Sequence, residues 1–401
     1  MKPNRRRLLQ LGILLLGGGV GWWVARGCFP DPPVEQSLED LYRQRIETAA
    51  SFKEALPALK ALYNYGDCSP EARAFLRERL LVVAREEQAV EAQLLLAETT
   101  VLDDAEETLF WWRLAAINAL HPDAQFALGC SLARGYGGEY DLVEAKSLWT
   151  KAKEQGHAAA YLSLLTLGRE TPLPQINHPT TAKDYFMAGL YAAAGYNQAP
   201  SPEAAEEYWG KALQQGYAEA GVFLAAIALR RGETNVAIRN LEHATKENNP
   251  AAETWLADLY LRHIATPEAK AKALELLLRA SKANFAHANY LLGWHAIHSE
   301  LNVPQEPFRY FRAAIEIEPS PIALYAYGAC LFYGIGGEKQ APEKALSWIK
   351  RAAEEDVVAA QWLLAKMYRE GLGVEAQPQL AEAWETRALR ASTHPPQELL
   401  P

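Results

Sequence analysis

From Leu38 onward, apolar residues recur at spacings of three and four, as in Leu256, Leu259 and Tyr260. That spacing gathers them on one face of a 3.6-residue helix. Alanine, leucine and glutamate dominate the same stretch, all strong helix formers, and alternating β-branched runs are rare. The pattern predicts an all-α fold with no strand. Leu8 to Ala25 is different: an apolar run of 18 residues, broken only by Gln10 and glycines, behind Arg5, Arg6 and Arg7. Eighteen residues lie at the short end of what spans a bilayer.

The helical pattern repeats. Ala124, Leu128 and Gly129 lead to Gly135, Gly137 and Gly138, then to Ala145, Trp149, Ala152 and Gly156. Ala323, Tyr327 and Gly328 lead likewise to Gly334, Gly336 and Gly337, then to Ala345, Trp348 and Ala352. A third copy runs through Ala360, Leu364, Gly371, Gly373, Ala381, Trp384 and Ala388. The alanine anchoring each second helix falls at 115, 152, 212, 244, 280, 313, 352 and 388, with gaps of 37, 60, 32, 36, 33, 39 and 36. A period near 36 predicts stacked helix–turn–helix pairs, each leaving an apolar face that its neighbours must cover. The gap of 60 holds Thr171, Pro172, Pro174, His178 and Pro179, and predicts a break in the array, as a protruding loop or a bend.

These residues resemble the Sel-one-like repeat family, a subclass of tetratricopeptide-like solenoids, whose pattern is roughly A-x-x-x-L-G-x-x-Y-x-x-G-x-G-V followed by K-A-x-x-W-Y-x-K-A-A-x-x-G. Copies at 124–156, 323–355 and 360–389 match well; those at 92–119, 181–216, 220–248, 252–284 and 288–317 are degraded, several lacking the glycine turn. The resemblance implies a right-handed α-solenoid of stacked helix–turn–helix repeats. In such an array alanines let helices approach closely. Trp149, Trp209, Trp348 and Trp384 are the expected packing residues between repeats. Gly135, Gly137, Gly334, Gly336, Gly371 and Gly373 are the expected turn residues.

The expected organisation is a signal or membrane anchor at 1–27, a proline-rich spacer at 28–36, helical pairs at 37–88, repeats at 89–394 and a tail at 395–401. The arginine cluster should remain cytoplasmic, with Trp22 and Trp23 at the far interface. Three outcomes follow for this leader: a retained anchor, a cleaved signal, or a lipoprotein signal. Ala25, Arg26, Gly27 and Cys28 resemble a bacterial lipobox, which makes Cys28 the lipidation candidate, and Asn4 to Gln10 resembles a twin-arginine export motif. Each places the body outside the cytoplasm. Pro30, Pro32 and Pro33 would hold it off the membrane as a stiff spacer.

Charge removes one class of function. The chain has 49 acidic against 40 basic side chains; without the five basic residues of the leader the body carries about −14. Phosphate neutralisation requires the opposite sign, so no nucleic acid is expected as a partner. The G-x-G clusters follow helices at the repeat period and lack a preceding strand, so they read as turns rather than phosphate loops. His295 and His298 stand three apart, with His287 two turns earlier, and Glu300 is a loose fourth; no metal site is expected from them. Cys130 and Cys330 occupy corresponding positions of repeats several units apart, too distant to pair, and Cys68 reads as a free or buried thiol. Acid pairs such as Glu106 and Glu107, or Glu206 and Glu207, read as solvated helix surface. No catalytic residue and no cofactor are expected.

The function expected is therefore an exported, membrane-tethered scaffold for protein–protein contacts in the bacterial cell envelope, with the body facing the periplasm or exterior. The resemblance implies a groove on the first helices, with exposed positions such as Lys366 and Arg369 available to a protein partner. The alternative is a carbohydrate- or peptidoglycan-associated module, suggested by 11 Trp and 18 Tyr.

Overall fold

A computed structural model describes residues 38–64, 69–101, 103–169, 171–176, 178–298 and 301–395. Leu8 to Ala25, Cys28 and Cys68 lie outside these residues. Among the described residues there are helices and no strands, and no helix is long and apolar enough to cross a membrane.

The helices fall into two compact units, formed by the described residues of Met1–Ala145 with Arg390–His394, and by those of Lys146–Leu389. In the first, α1 (Leu38–Thr48) packs on α2 (Phe52–Tyr63), and α3 (Pro70–Glu86) on α4 (Val90–Thr100). α4 packs on α5 (Ala105–Ile117), which packs on α6 (Pro122–Arg134). The described residues of 37–88 thus hold one pair and the first helix of a second, whose partner α4 lies beyond 88, because α3 runs unbroken until Gln88 enters the left-handed region at φ 52°. α7 (Leu142–Glu154) begins at the end of this unit.

The second unit continues through α8 (Ala158–Thr166), α9 (Ala182–Ala194), α10 (Pro202–Gln214), α11 (Glu219–Arg230) and α12 (Thr234–Ala244). It is completed by α13 (Pro250–Leu259), α14 (Pro267–Lys282), α15 (Ala286–Ile297), α16 (Pro307–Ile317), α17 (Pro321–Tyr333), α18 (Pro342–Glu354), α19 (Val358–Glu370) and α20 (Pro378–Leu389). From α9 onward the helices pair in order, and each second helix also packs on the first helix of the next pair.

Local chemistry sets the helix starts. Ser69, Ser201, Asn249 and Thr266 each accept an amide hydrogen bond from the first turn, and each is followed by proline at the first helical position. A side-chain oxygen satisfies an orphan amide there, and proline loses nothing because its position needs no donor. The second helices end as regularly: four residues after the anchor alanine stand Gly156, Gly216, Asn248, Asn284 and Asp356, all at positive φ. Asn and Asp are the side chains that best tolerate this conformation, so the turn persists where glycine was lost.

Seven of the eight anchor alanines are fully buried. The exception corrects the register: Ala313 is half-buried and Ala314 is buried in its place. The gap of 60 contains α8 followed, without a second helix, by the stretch 167–181. Most of its described residues are exposed, and it is tied at one point to α9 and the turn after it. The Leu173 amide donates to the Tyr196 hydroxyl at 3.0 Å, the Tyr191 hydroxyl donates to the Pro174 carbonyl at 3.1 Å, and Leu173 is buried.

Between paired helices, a small residue on the first seats a large one on the second. A Cβ at Gly293 would stand 2.8 Å from the Phe311 ring, and one at Gly328 would stand 2.7 Å from Ile349. Gly189 seats Trp209, whose indole donates to the Phe186 carbonyl at 3.1 Å. Phe311, Ile349 and Trp209 each lie three residues before their buried alanine.

That offset corrects the expected packing role of two tryptophans. Trp149 and Trp209, three before Ala152 and Ala212, are buried. Trp348 and Trp384, four before Ala352 and Ala388, are half-buried. One residue turns a side chain about 100° around a helix, which carries these rings from the seat to its flank. Ile349 takes the seat in α18. In α20 the corresponding residue is Glu385, which pairs with Arg369, while Arg387 lies over the Trp384 ring.

Candidate interaction surface

The first helices carry two residues of interest directly after their buried alanine. The first of these is polar in most repeats and fully buried: Gln125 in α6, Glu253 in α13, Asn289 in α15 and Gln361 in α19. Each is a latch to neighbouring backbone or side chains. Gln125 donates to the Ala116 carbonyl at 3.3 Å, and Gln361 to the Ala353 carbonyl and the Asp356 carboxylate at 3.2 Å each. The Ser281 hydroxyl donates to Asn289 at 2.8 Å, and Arg279 donates to Glu253 at 2.9 Å. Burying such groups is costly unless they are bonded, so the position fixes the register of successive helices. The sequence reading missed it, although a polar residue recurring after the motif alanine was its visible signal.

The next position carries rings: Tyr290, Tyr325 and Trp362 on α15, α17 and α19. α13 has Thr254 there and supplies Trp255 one residue later. The Trp255 ring lies 5.1 Å from His287, and His287 stacks on Tyr290 at 5.9 Å. Burial pushes the hydroxyl pKa values of Tyr290 and Tyr325 well above the ordinary tyrosine range, and holds His287 down at about 4, hence neutral at pH 7. The first helices thus carry neutral rings, with Tyr290 and Tyr325 buried and Trp255, His287 and Trp362 partly exposed.

One end of the line meets the chain's own turn between α7 and α8. The Trp255 indole donates to the Glu154 main-chain carbonyl at 2.9 Å, and Lys151 pairs with Glu318 at 3.1 Å. Gly156 comes so close to α11 that a Cβ there would stand 2.9 Å from the Val222 carbonyl oxygen. Burial, and then the Glu318 carboxylate, raise the Glu154 pKa to about 7, with Lys153 and Lys151 opposing.

The expected site residues distribute as follows. Gly135, Gly334 and Gly371 end α6, α17 and α19 at φ between +68° and +70°, and Gly137, Gly336 and Gly373 follow at positive φ. A side chain at Gly137 would collide with Leu109, 2.6 Å away. Lys366 and Arg369 are exposed on α19, Arg369 already engaged by Glu385. The histidines sit in ring contacts, His298 stacked on Trp294 at 4.1 Å and His295 edge-on to it. Among the described residues no three His, Cys, Asp or Glu side chains converge as metal ligands. Cys130 and Cys330 are buried and form no disulfide, and burial pushes the Cys330 thiol up to about 12, where no nucleophilic thiolate forms at neutral pH.

The Sel1 repeat family model matches residues 122–157, 250–285, 321–357 and 358–391. The chain is 28% identical over 286 residues to chitin synthase regulatory factor 3 of Schizosaccharomyces pombe; the match covers 67% of this chain but only 28% of that protein. Two solved structures are similar. One is a Sel1 repeat protein from Oxalobacter formigenes, at 21% identity and TM-score 0.45, covering 83% of this chain and 90% of the other. The other is a protective antigen of uropathogenic Escherichia coli strains displaying an SLR fold, at 22% identity and TM-score 0.47, covering 96% and 87%.

Proposed function

Because the chain is a Sel1-repeat protein, built on a scaffold suited to protein–protein contacts, we propose that it is exported, tethered to a bacterial envelope membrane by its N-terminal segment, and holds a protein partner on its first-helix face. It performs no catalysis of its own in this reading. The observation that carries it is the partly exposed rings of Trp255, His287 and Trp362 on the first helices, with the buried rings of Tyr290 and Tyr325 packed behind that face. Rigid aromatic side chains lose little entropy when they bury a partner, which is why they concentrate binding energy. Support for tethering is the run from Leu8 to Ala25 behind three arginines, with Cys28 as the residue that a lipid would modify. The relative named as a chitin synthase regulatory factor fits a role exercised through another protein.

Two measurements test the proposal. A reporter fused after residue 40 should be active only outside the cytoplasm; cytoplasmic activity would remove the envelope assignment. A photo-cross-linking residue at position 366, on the first helix α19, should capture a partner in membranes, whereas one at exposed position 239 on the second helix α12 should not. Equal capture from both would overturn the assignment of the face. Exposed rings also stack on sugars, so sedimentation of the purified protein with protein-free cell wall would instead favour the carbohydrate-associated alternative.

A further inference from the structure

In a repeat array each pair touches its neighbours, but the end of α7 touches repeats much further along the chain. The Trp255 indole of α13 donates to the Glu154 carbonyl at 2.9 Å. Glu154 is the last residue of α7, so its carbonyl has no later turn of that helix to satisfy it. Lys151 reaches Glu318, just after α16, at 3.1 Å, and Lys153 reaches Glu219, at the start of α11, at 3.2 Å. Gly156 follows at φ 81°, against α11 with no room for a side chain. The turn between α7 and α8 thus holds the donor of one of the partly exposed rings on the first helices.

Charge at this contact does not balance. Lys151 and Glu154 stand three apart on α7 and share a helix face. Two lysines, Lys151 and Lys153, therefore serve three carboxylates, Glu154, Glu219 and Glu318, and Lys153 also lies over the Tyr161 ring. Burial, and then Glu318, raise the Glu154 pKa to about 7 against the pull of both lysines. From α15 comes His287, held down at about 4 and so neutral between pH 6 and pH 8. On α13, Asp258 and Arg262 pair with each other at 2.8 Å. On the turn itself, His157 uses Nδ1 to accept the Ala160 amide. The grip consists of one neutral hydrogen bond and ion pairs that are partly exposed, each of modest strength. An unbalanced charge on a buried carboxyl is a cost of comparable size.

We propose that the turn between α7 and α8 is a proton-operated clasp, covering the Trp255 end of the first-helix face while Glu154 is neutral and letting go when that carboxyl ionises beside Glu318. The docked state holds the proton more tightly than the open one, so docking is strongest in acid and weakens as pH rises to about 7. With the open-state carboxyl near its ordinary 4.5, the opening constant rises about tenfold between pH 6 and pH 8. Opening frees the Trp255 indole for a partner. That consequence rests on the first-helix face being the binding surface, whereas the clasp itself does not.

Hydrogen exchange of the full-length protein in detergent, corrected for the intrinsic pH dependence of exchange, tests the clasp. The amides to read are Gln155, Gly156 and His157, which donate to the Ala152 and Lys153 carbonyls at the end of α7. The Ala160 amide is set aside, because a proton on His157 would break its bond. Protection should fall about tenfold from pH 6 to pH 8 at these amides, and not in α17. Glu154→Gln should abolish the fall and keep the acid level of protection at pH 8. Trp255→Phe, which keeps a ring and removes the donor, should lower protection about threefold at both pH values and leave the fall in place. Equal protection at the two pH values, or a fall that survives Glu154→Gln, would overturn the clasp. So would a fall shared by α17, which would mean a global loss of stability, or a Trp255→Phe variant that behaves like the parent. None of these outcomes touches the capture test at position 366. Failed capture there would remove the consequence for a partner and leave the exchange result standing.

Discussion

The repeat formed by α9 and α10 and the one formed by α17 and α18 are built on the same plan and use tryptophan oppositely. In the first, Trp209 lies over Gly189, fully buried, with its indole bonded to the Phe186 carbonyl. In the second, Ile349 lies over Gly328 while Trp348 lines an open groove. The sequences differ by one place in the offset between tryptophan and anchor alanine, three residues against four. A helix converts that single step into a choice between core and surface. The same amino acid is therefore a core residue in one repeat and a half-exposed surface residue in the other.

The largest expected effect would break this contrast if it failed. Trp209→Ala should destabilise the protein by about 3–5 kcal/mol through the cavity it leaves, whereas Trp348→Ala should cost less than half as much. Denaturant titrations followed by circular dichroism compare them; equal losses would show that the seat and the flank are not distinct environments.

The seat itself can be tested from the other helix. Gly293→Ala places a Cβ against the Phe311 ring and should cost about 1–3 kcal/mol by overpacking. Pairing it with Phe311→Leu should recover part of that loss, and a purely additive double variant would mean that the two residues do not share the seat.

A third test separates the regions by pH. Glu154, at the turn before α8, has a folded pKa raised from 4.5 to about 7, so the folded state holds more protons than the unfolded one between those values. Its contribution to stability is present at pH 4.5 and is lost as pH rises to about 7. Glu154→Gln should therefore raise the melting temperature at pH 8 relative to the parent and leave it nearly unchanged at pH 4.5. His287 works in the opposite sense: its pKa is lowered from 6.5 to about 4, so its contribution is lost as pH falls through that window. An unchanged melting temperature at pH 8 would mean that Glu154 is solvated in the folded protein.

The smallest effect is expected on the exposed face of the last first helix. Lys366→Glu should change stability by no more than about half a kcal/mol while weakening capture of a charged partner. A larger thermal shift would show that Lys366 is part of the fold rather than of the surface.

Much of this was legible in the chain. Spacings of three and four determined helices, the period near 36 determined paired repeats, and the alanines at 152, 212, 244, 280, 352 and 388 marked the crossings, because close approach of two helices admits little else. Capping residues before proline determined where many helices begin. The first-helix position after the motif alanine was equally present in the sequence, but a glutamine there has no evident partner until Ala353 and Asp356 are brought to it. Other matters belonged to the tertiary structure alone. Whether a tryptophan fills a seat or walls a groove depends on which neighbour the facing helix offers. Likewise, Lys151 and Glu318, or Trp255 and the Glu154 carbonyl, lie more than a hundred residues apart, and no local period relates them. Sequence periodicity determines the face each residue occupies on its own helix; what that face touches is decided by how the helices pack in three dimensions.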